Sequence, residues 1–243
     1  MIPGPEAELR DEIAEAANVL ARLGLVTAYG HVSARAGESM LITPAADLAG
    51  VTGSGLIEVP LAASAGLGGK LPSGAPAEAW AHLALYRARP DAAAIARAQP
   101  PSAFAVTAAV TLMVPLHGQA AWLGESVPVH QDAALLRSPD QAERAARCLP
   151  AGEALLLRGN GAVTLGATPG LAVARMWLVA AACDVYLAAL AASGASPVTP
   201  LSAAEIASWR AAGRELLPRL WQHLRHSAGA GAGGAPGAGK EQG

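Results

Sequence analysis

Apolar residues recur at helical spacing in the first part of the chain: Leu9, Ile13, Ala16, Ala17, Leu20 and Leu23 share one face between Ala7 and Leu23. That period predicts an amphipathic helix. Glu6, Glu8, Asp11 and Glu12 lie near its start, where the helix dipole favours negative charge, and Gly24 ends it. The period then changes. Tyr29 to Arg35 and Met40 to Thr43 read as two short strands turned at Gly37, and Ile57-Glu58-Val59 as a strand among the mobile loops of a Gly-rich stretch, Gly50 to Gly74.

Helix follows from Pro76 to Arg87, stopped at Arg89-Pro90-Asp91, then a strand over Ala93 to Ala98 and another helix from Pro101. Val127-Pro128-Val129 is a short strand, and Pro139 to Cys148 a helix capped by Ser138. The apolar strands Ala154 to Leu157 and Ala162 to Leu165 flank Arg158-Gly159-Asn160-Gly161, whose Asn-Gly step signals a hairpin. A long helix over Pro169 to Ala192 and a last helical region over Ser202 to His226 complete one domain, residues 5 to 226, and Ser227 to Gly243 reads as a flexible Gly/Ala tail. Neither GxGxxG after a strand nor GxxxxGK[ST] occurs, so the mixed pattern excludes Rossmann and P-loop nucleotide sites.

Composition sharpens this picture. Of the 243 residues 52% are hydrophobic but 60 are alanine and only 4% aromatic, so the core must pack through many close small-residue contacts. A formal charge of −2 lacks the basic surplus that nucleic acid requires. Lys70 and Lys240 are the only lysines, which disfavours Schiff-base chemistry. Cys148 and Cys183 form no metal or redox motif, and the two most apolar runs are interrupted by Pro115 or by Arg175 and Asp184, so a cytoplasmic protein without a membrane partner is expected.

Four groups of residues stand in a specific order: Gly30-His31-Val32-Ser33-Ala34-Arg35, then Leu41-Ile42-Thr43-Pro44, then Glu78 to His82 leading to Arg89-Pro90-Asp91, then Leu155 to Gly161. From about Leu9 to Leu190 this order resembles the class II aldolase/adducin family. The resemblance implies an α/β fold, a three-layer αβα domain with a central, mainly antiparallel sheet, assembled as a homotetramer. It also implies a site in which three histidines hold zinc or another divalent metal beside a proton-transferring Glu.

Carried over residue by residue, the resemblance places Arg97 and Gln99 at the paired-histidine positions and Asn160 at the third. A guanidinium has no lone pair to give, and neutral amide oxygens are weak ligands, so no metal and no cofactor is expected. The other histidines are His31, His82, His117, His130, His223 and His226, and a rearranged site among them stays open. Glu78 corresponds to the catalytic Glu, with His82 one turn along. Gly30, His31, Ser33, Thr43, Ser73 and Gly74 correspond to substrate-binding loops, though Ala45-Ala46 replace small polar residues there. Arg97 is expected to bind a carboxylate or phosphate, or to pair with Glu78.

Two functions fit. One is a lyase-derived enzyme that performs aldol cleavage or decarboxylation of a small hydroxy acid or sugar phosphate with a degenerate metal site. The other is a non-catalytic binding or assembly module of the same fold.

Overall fold

In the computed structural model, which describes residues 4–62, 70–194 and 196–230, the chain alternates helices and short strands much as its pattern predicts. The elements are α1 (Pro5–Arg22), β1 (His31–Ala36), β2 (Ser39–Ile42), β3 (Ile57–Pro60), α2 (Ala79–Ala88), β4 (Ala94–Ala98), α3 (Pro101–Ala109) and β5 (Leu112–Met113). They continue with β6 (Val127–His130), α4 (Pro139–Ala146), β7 (Ala154–Leu157), β8 (Gly161–Gly166), α5 (Pro169–Ser193) and α6 (Ala203–Ala230). The strands form one sheet in the order β3-β2-β1-β4-β8-β7-β6-β5, antiparallel except where β6 runs parallel to β7.

Side-chain alternation along the strands divides the interior into two layers. On one face Val32, Ala34, Ala94, Ala96, Ala98, Leu156 and Ala162 pack with residues of α1, α3, α5 and α6. On the other, Met40, Ile42, Ile95, Leu155, Leu157, Val163 and Leu165 pack with α2 and α4. The alanine surplus sits largely on the first face, where short side chains let the 25-residue α5 lie close to the sheet. Although α5 is long and apolar enough to cross a bilayer, Ala172, Val173, Met176, Val179 and Cys183 are buried within this layer.

Two helix boundaries depart from expectation, and two short elements were not expected. Residues Pro76 to Glu78 make a tight turn, with the Ala79 amide donating to the Pro76 carbonyl at 2.9 Å, so α2 begins at Ala79. The last helix runs on through Ala230, because Ala228 is buried in the core and its carbonyl accepts from Arg22 Nη1 at 3.4 Å. The expected tail therefore loses residues 227–230, and its remainder lies outside the described residues. A two-residue strand at Leu112–Met113 and a 3-10 segment at Gly118–Leu123 carried no periodic signal. In the Gly-rich stretch, β3 pairs antiparallel with β2 while residues 63–69 lie outside the description.

Candidate functional site

Strand pairing assembles the site. Antiparallel β1 and β4 place His31 opposite Arg97, and β8 places Val163 on the other side of Arg97. Because Ala96 and Ala98 face α5, Arg97 projects with Ile95 toward α2. The β7–β8 turn then brings in Asn160. Its Gly161 has φ of +82°, and a Cβ there would lie 2.1 Å from the Ala98 carbonyl oxygen, so only glycine lets the turn approach the end of β4 this closely. Gly30 serves the neighbouring approach: a Cβ would lie 2.4 Å from Val26 Cγ1 and 3.2 Å from the Arg97 carbonyl oxygen.

The three side chains at the expected ligand positions converge. Asn160 Oδ1 accepts from Arg97 Nη2 at 2.7 Å and from Gln99 Nε2 at 3.2 Å. Two donors on one oxygen fix the orientation of the amide and leave Asn160 Nδ2 as its donor end. Arg97 is 2% exposed, and its Nε, Asn160 Nδ2, His31 Nδ1 and His82 Nε2 are all buried without a hydrogen-bond partner. Such orphaned groups cost about 1–3 kcal/mol each. The two unambiguous ones, on Arg97 and Asn160, are donors.

Behind this cluster runs a buried polar chain from α2 to β1. Ser33 Oγ lies 2.8 Å from His82 Nδ1 and 2.9 Å from the Tyr86 hydroxyl, and the His31 and His82 rings meet edge to face at 5.8 Å. Burial, then the Arg97 charge, lowers the His31 pKa to about 3. Burial, followed by His31 and Arg97, also holds His82 well below the usual histidine range. Both imidazoles are therefore neutral at pH 7. Burial raises the Tyr86 phenol above its ordinary value. Burial likewise works against the Arg97 cation, with Glu78 favouring it and Arg137 opposing it.

The expected Arg97–Glu78 pair is not formed. Glu78 Oε1 instead accepts from Arg137 Nε at 3.1 Å, while the Arg97 guanidinium turns to Asn160. Arg137 follows Leu136, which is 2% exposed and anchors the segment before α4, so the arginine reaches over the start of α2. No local spacing announces this contact, which joins residues 59 positions apart.

Other expected binding residues are committed to the fold. Thr43 Oγ1 accepts from the Val32 amide at 3.2 Å, and Ser33 belongs to the His82–Tyr86 chain. Ser73 and Gly74 lie on an exposed loop whose Gly74 carbonyl accepts from the Ala45 amide at 3.1 Å. Near the end of α6, His226 Nδ1 lies 2.6 Å from the Gln222 carbonyl oxygen and His223 Nε2 3.4 Å from Ser227 Oγ, both local contacts on an exposed surface.

A divalent cation does not fit the converged trio. One member is a cation, and Asn160 Oδ1 already accepts two donors. Among the described residues no group of three or more His, Cys, Asp or Glu side chains could hold a metal. What the trio and its orphaned donors suit is an acceptor: an anionic oxygen desolvated against a guanidinium and a carboxamide.

A family model for the class II aldolase and adducin N-terminal domain matches residues 11–187. In structure the chain is similar to L-fuculose-1-phosphate aldolase from Thermus thermophilus, with TM-score 0.66 and 28% identity over 76% of this chain and 96% of that one. It also resembles an aldolase II superfamily protein from Pseudomonas syringae, with TM-score 0.76 and 21% identity over 95% of each chain. In sequence it is 33% identical over 118 residues to 4-hydroxy-3-prenylphenylpyruvate oxygenase/4-hydroxy-3-prenylbenzoate synthase of Streptomyces roseochromogenus subsp. oscitans. That match spans 48% of this chain and 43% of the relative, less than half of its length. With the family model covering residues 11–187, well over half of the chain, the chain belongs to the class II aldolase and adducin N-terminal domain family.

Proposed function

We propose that this chain is a metal-independent member of its family that binds the carboxylate or oxyanion of a small hydroxy or oxo acid at Arg97, and that its reaction class is carbon–carbon cleavage by decarboxylation or an aldol-type step. The observation that carries this reading is the pair of buried, unpartnered donors, Arg97 Nε and Asn160 Nδ2, at the point where three strands meet. When such a bond breaks, its electron pair passes to the adjacent carbonyl and an enolate oxyanion forms. The guanidinium and amide donors stabilise that oxygen, and Glu78, once released from Arg137, moves the proton. The phenylpyruvate in the name of the Streptomyces relative supports an oxo acid as substrate, and the aldolase name of the Thermus neighbour supports carbon–carbon cleavage.

One positive charge stabilises an enolate less than a divalent metal does. Single oxyanion donors in other enzymes are worth about 10²–10³ in rate, so turnover is expected to be slow.

The Glu78–Arg137 pair favours a second reading, a binding module without turnover, because it occupies the carboxylate that would carry the proton. Titrating chelator-treated protein with pyruvate and glycolate, while following aldol cleavage of a 4-hydroxy-2-oxo acid and decarboxylation of a 3-oxo acid by proton NMR, separates the two. Arg97-dependent binding with turnover supports the enzyme, the same binding without turnover supports the module, and no binding refutes both.

A further inference from the structure

On the opposite side of the sheet from Arg97, a cavity of about 740 Å³ opens between α6, the start of α5 and the 3-10 segment Gly118–Leu123. Its size is that of a small-molecule site. Trp122, Leu171 and Leu217 give it an apolar wall. Its charged lining is three guanidiniums, Arg175, Arg210 and Arg214, against two carboxylates, Glu125 and Glu153.

The guanidiniums are incompletely used. Arg175 Nη1 donates to the Leu165 carbonyl at 2.8 Å and lies 3.6 Å from Glu153 Oε2, yet its Nε is buried without a partner. Arg210 Nη1 donates to the Ala121 carbonyl at 3.3 Å. Arg214, one turn further along α6, makes no hydrogen bond or ion pair among the described residues. Like charges at i and i+4 of a helix repel, and an anion between them relieves the repulsion.

We propose that this cavity is a second small-molecule site, separate from the Arg97 cluster, that takes an aromatic monocarboxylate. Its ring lies against Trp122 and Leu217, and its carboxylate is held by Arg175 and Arg214. The surplus of a single positive charge over the two carboxylates matches one anionic group, and the apolar wall matches a ring.

The probe is 1-naphthoate, titrated into the full chain by calorimetry with 1-naphthamide as its neutral counterpart. Saturable one-to-one binding is expected, weakened about tenfold or more in the amide and in both Arg175→Met and Arg214→Ala, and unchanged in Arg97→Met. Arg214 is exposed, so its variant tests the site even where Arg175→Met fails to fold. The proposal is overturned by absence of saturable binding, by equal binding of the amide, by wild-type binding in Arg214→Ala, or by loss of binding in Arg97→Met.

Discussion

Arg97 Nη2 donates to Asn160 Oδ1 at 2.7 Å across 63 positions of sequence, and this bond brings the end of β4 and the β7–β8 turn together at one point. The guanidinium is buried, its electrostatic partner Glu78 is engaged elsewhere, and its Nε is left open. A charge held this way is costly to the fold and useful only to a ligand.

Arg97→Met is therefore expected to raise stability by about 1–2 kcal/mol, since an apolar chain of similar length replaces a desolvated cation that has no close counter-ion. The same variant should lose pyruvate binding. Urea unfolding beside calorimetry measures both, and a variant less stable than wild type would show that the guanidinium is structural.

Glu78→Gln should change stability little. Arg137 is 55% exposed at its side chain, and ion pairs to such a partner contribute about 0–1 kcal/mol. A double-mutant cycle with Arg137→Ala is expected to give a coupling below about 1 kcal/mol. A larger value would mean that the pair locks the site shut.

Most of the fold was legible because its signals are local. The glycine-bearing turn between β7 and β8, the Ser138 cap, whose Oγ accepts from the Gln141 amide at 3.4 Å, and the period of α1 each arise within a few residues. The convergence of Arg97, Gln99 and Asn160 was legible only through the order of short motifs, since nothing in composition links positions so far apart. Arg137 was not legible. Its contact with Glu78 depends on how the loop after β6 is anchored by Leu136, a tertiary fact with no periodic trace. The cavity under α6 escaped for the same reason, its arginines coming from two helices whose charges read individually as solvated.

Gly161→Ala should be among the most damaging single substitutions. It combines a φ of +82° with a Cβ only 2.1 Å from the Ala98 carbonyl oxygen, so the turn must withdraw and Asn160 with it. A loss of about 2–4 kcal/mol is expected, with loss of pyruvate binding. Gly159→Ala, at φ +65° in open space, should cost less and preserve binding.

Acid should destabilise the protein well before its carboxylates titrate. His31 has a folded pKa of about 3 against an unfolded 6.5, so the unfolded state binds more protons between those values. Stability is then full above pH 6.5 and falls as pH drops toward 3. His82 shifts in the same direction and steepens the fall. Each imidazole contributes up to about 1.4 kcal/mol per pH unit, and His31→Gln should flatten the slope between about pH 6 and 5. Urea midpoints measured across that range would contradict this if the slope were unchanged in His31→Gln.

Whether Arg97, Gln99 and Asn160 hold an anion rather than a cation is read out by equilibrium dialysis of the purified chain against zinc and, separately, against carbon-14 pyruvate. No stoichiometric zinc and one pyruvate per chain, lost in Arg97→Met, are expected. One zinc per chain, displaced by substitution of His31 or His82 and indifferent to Arg97, would contradict the anion site.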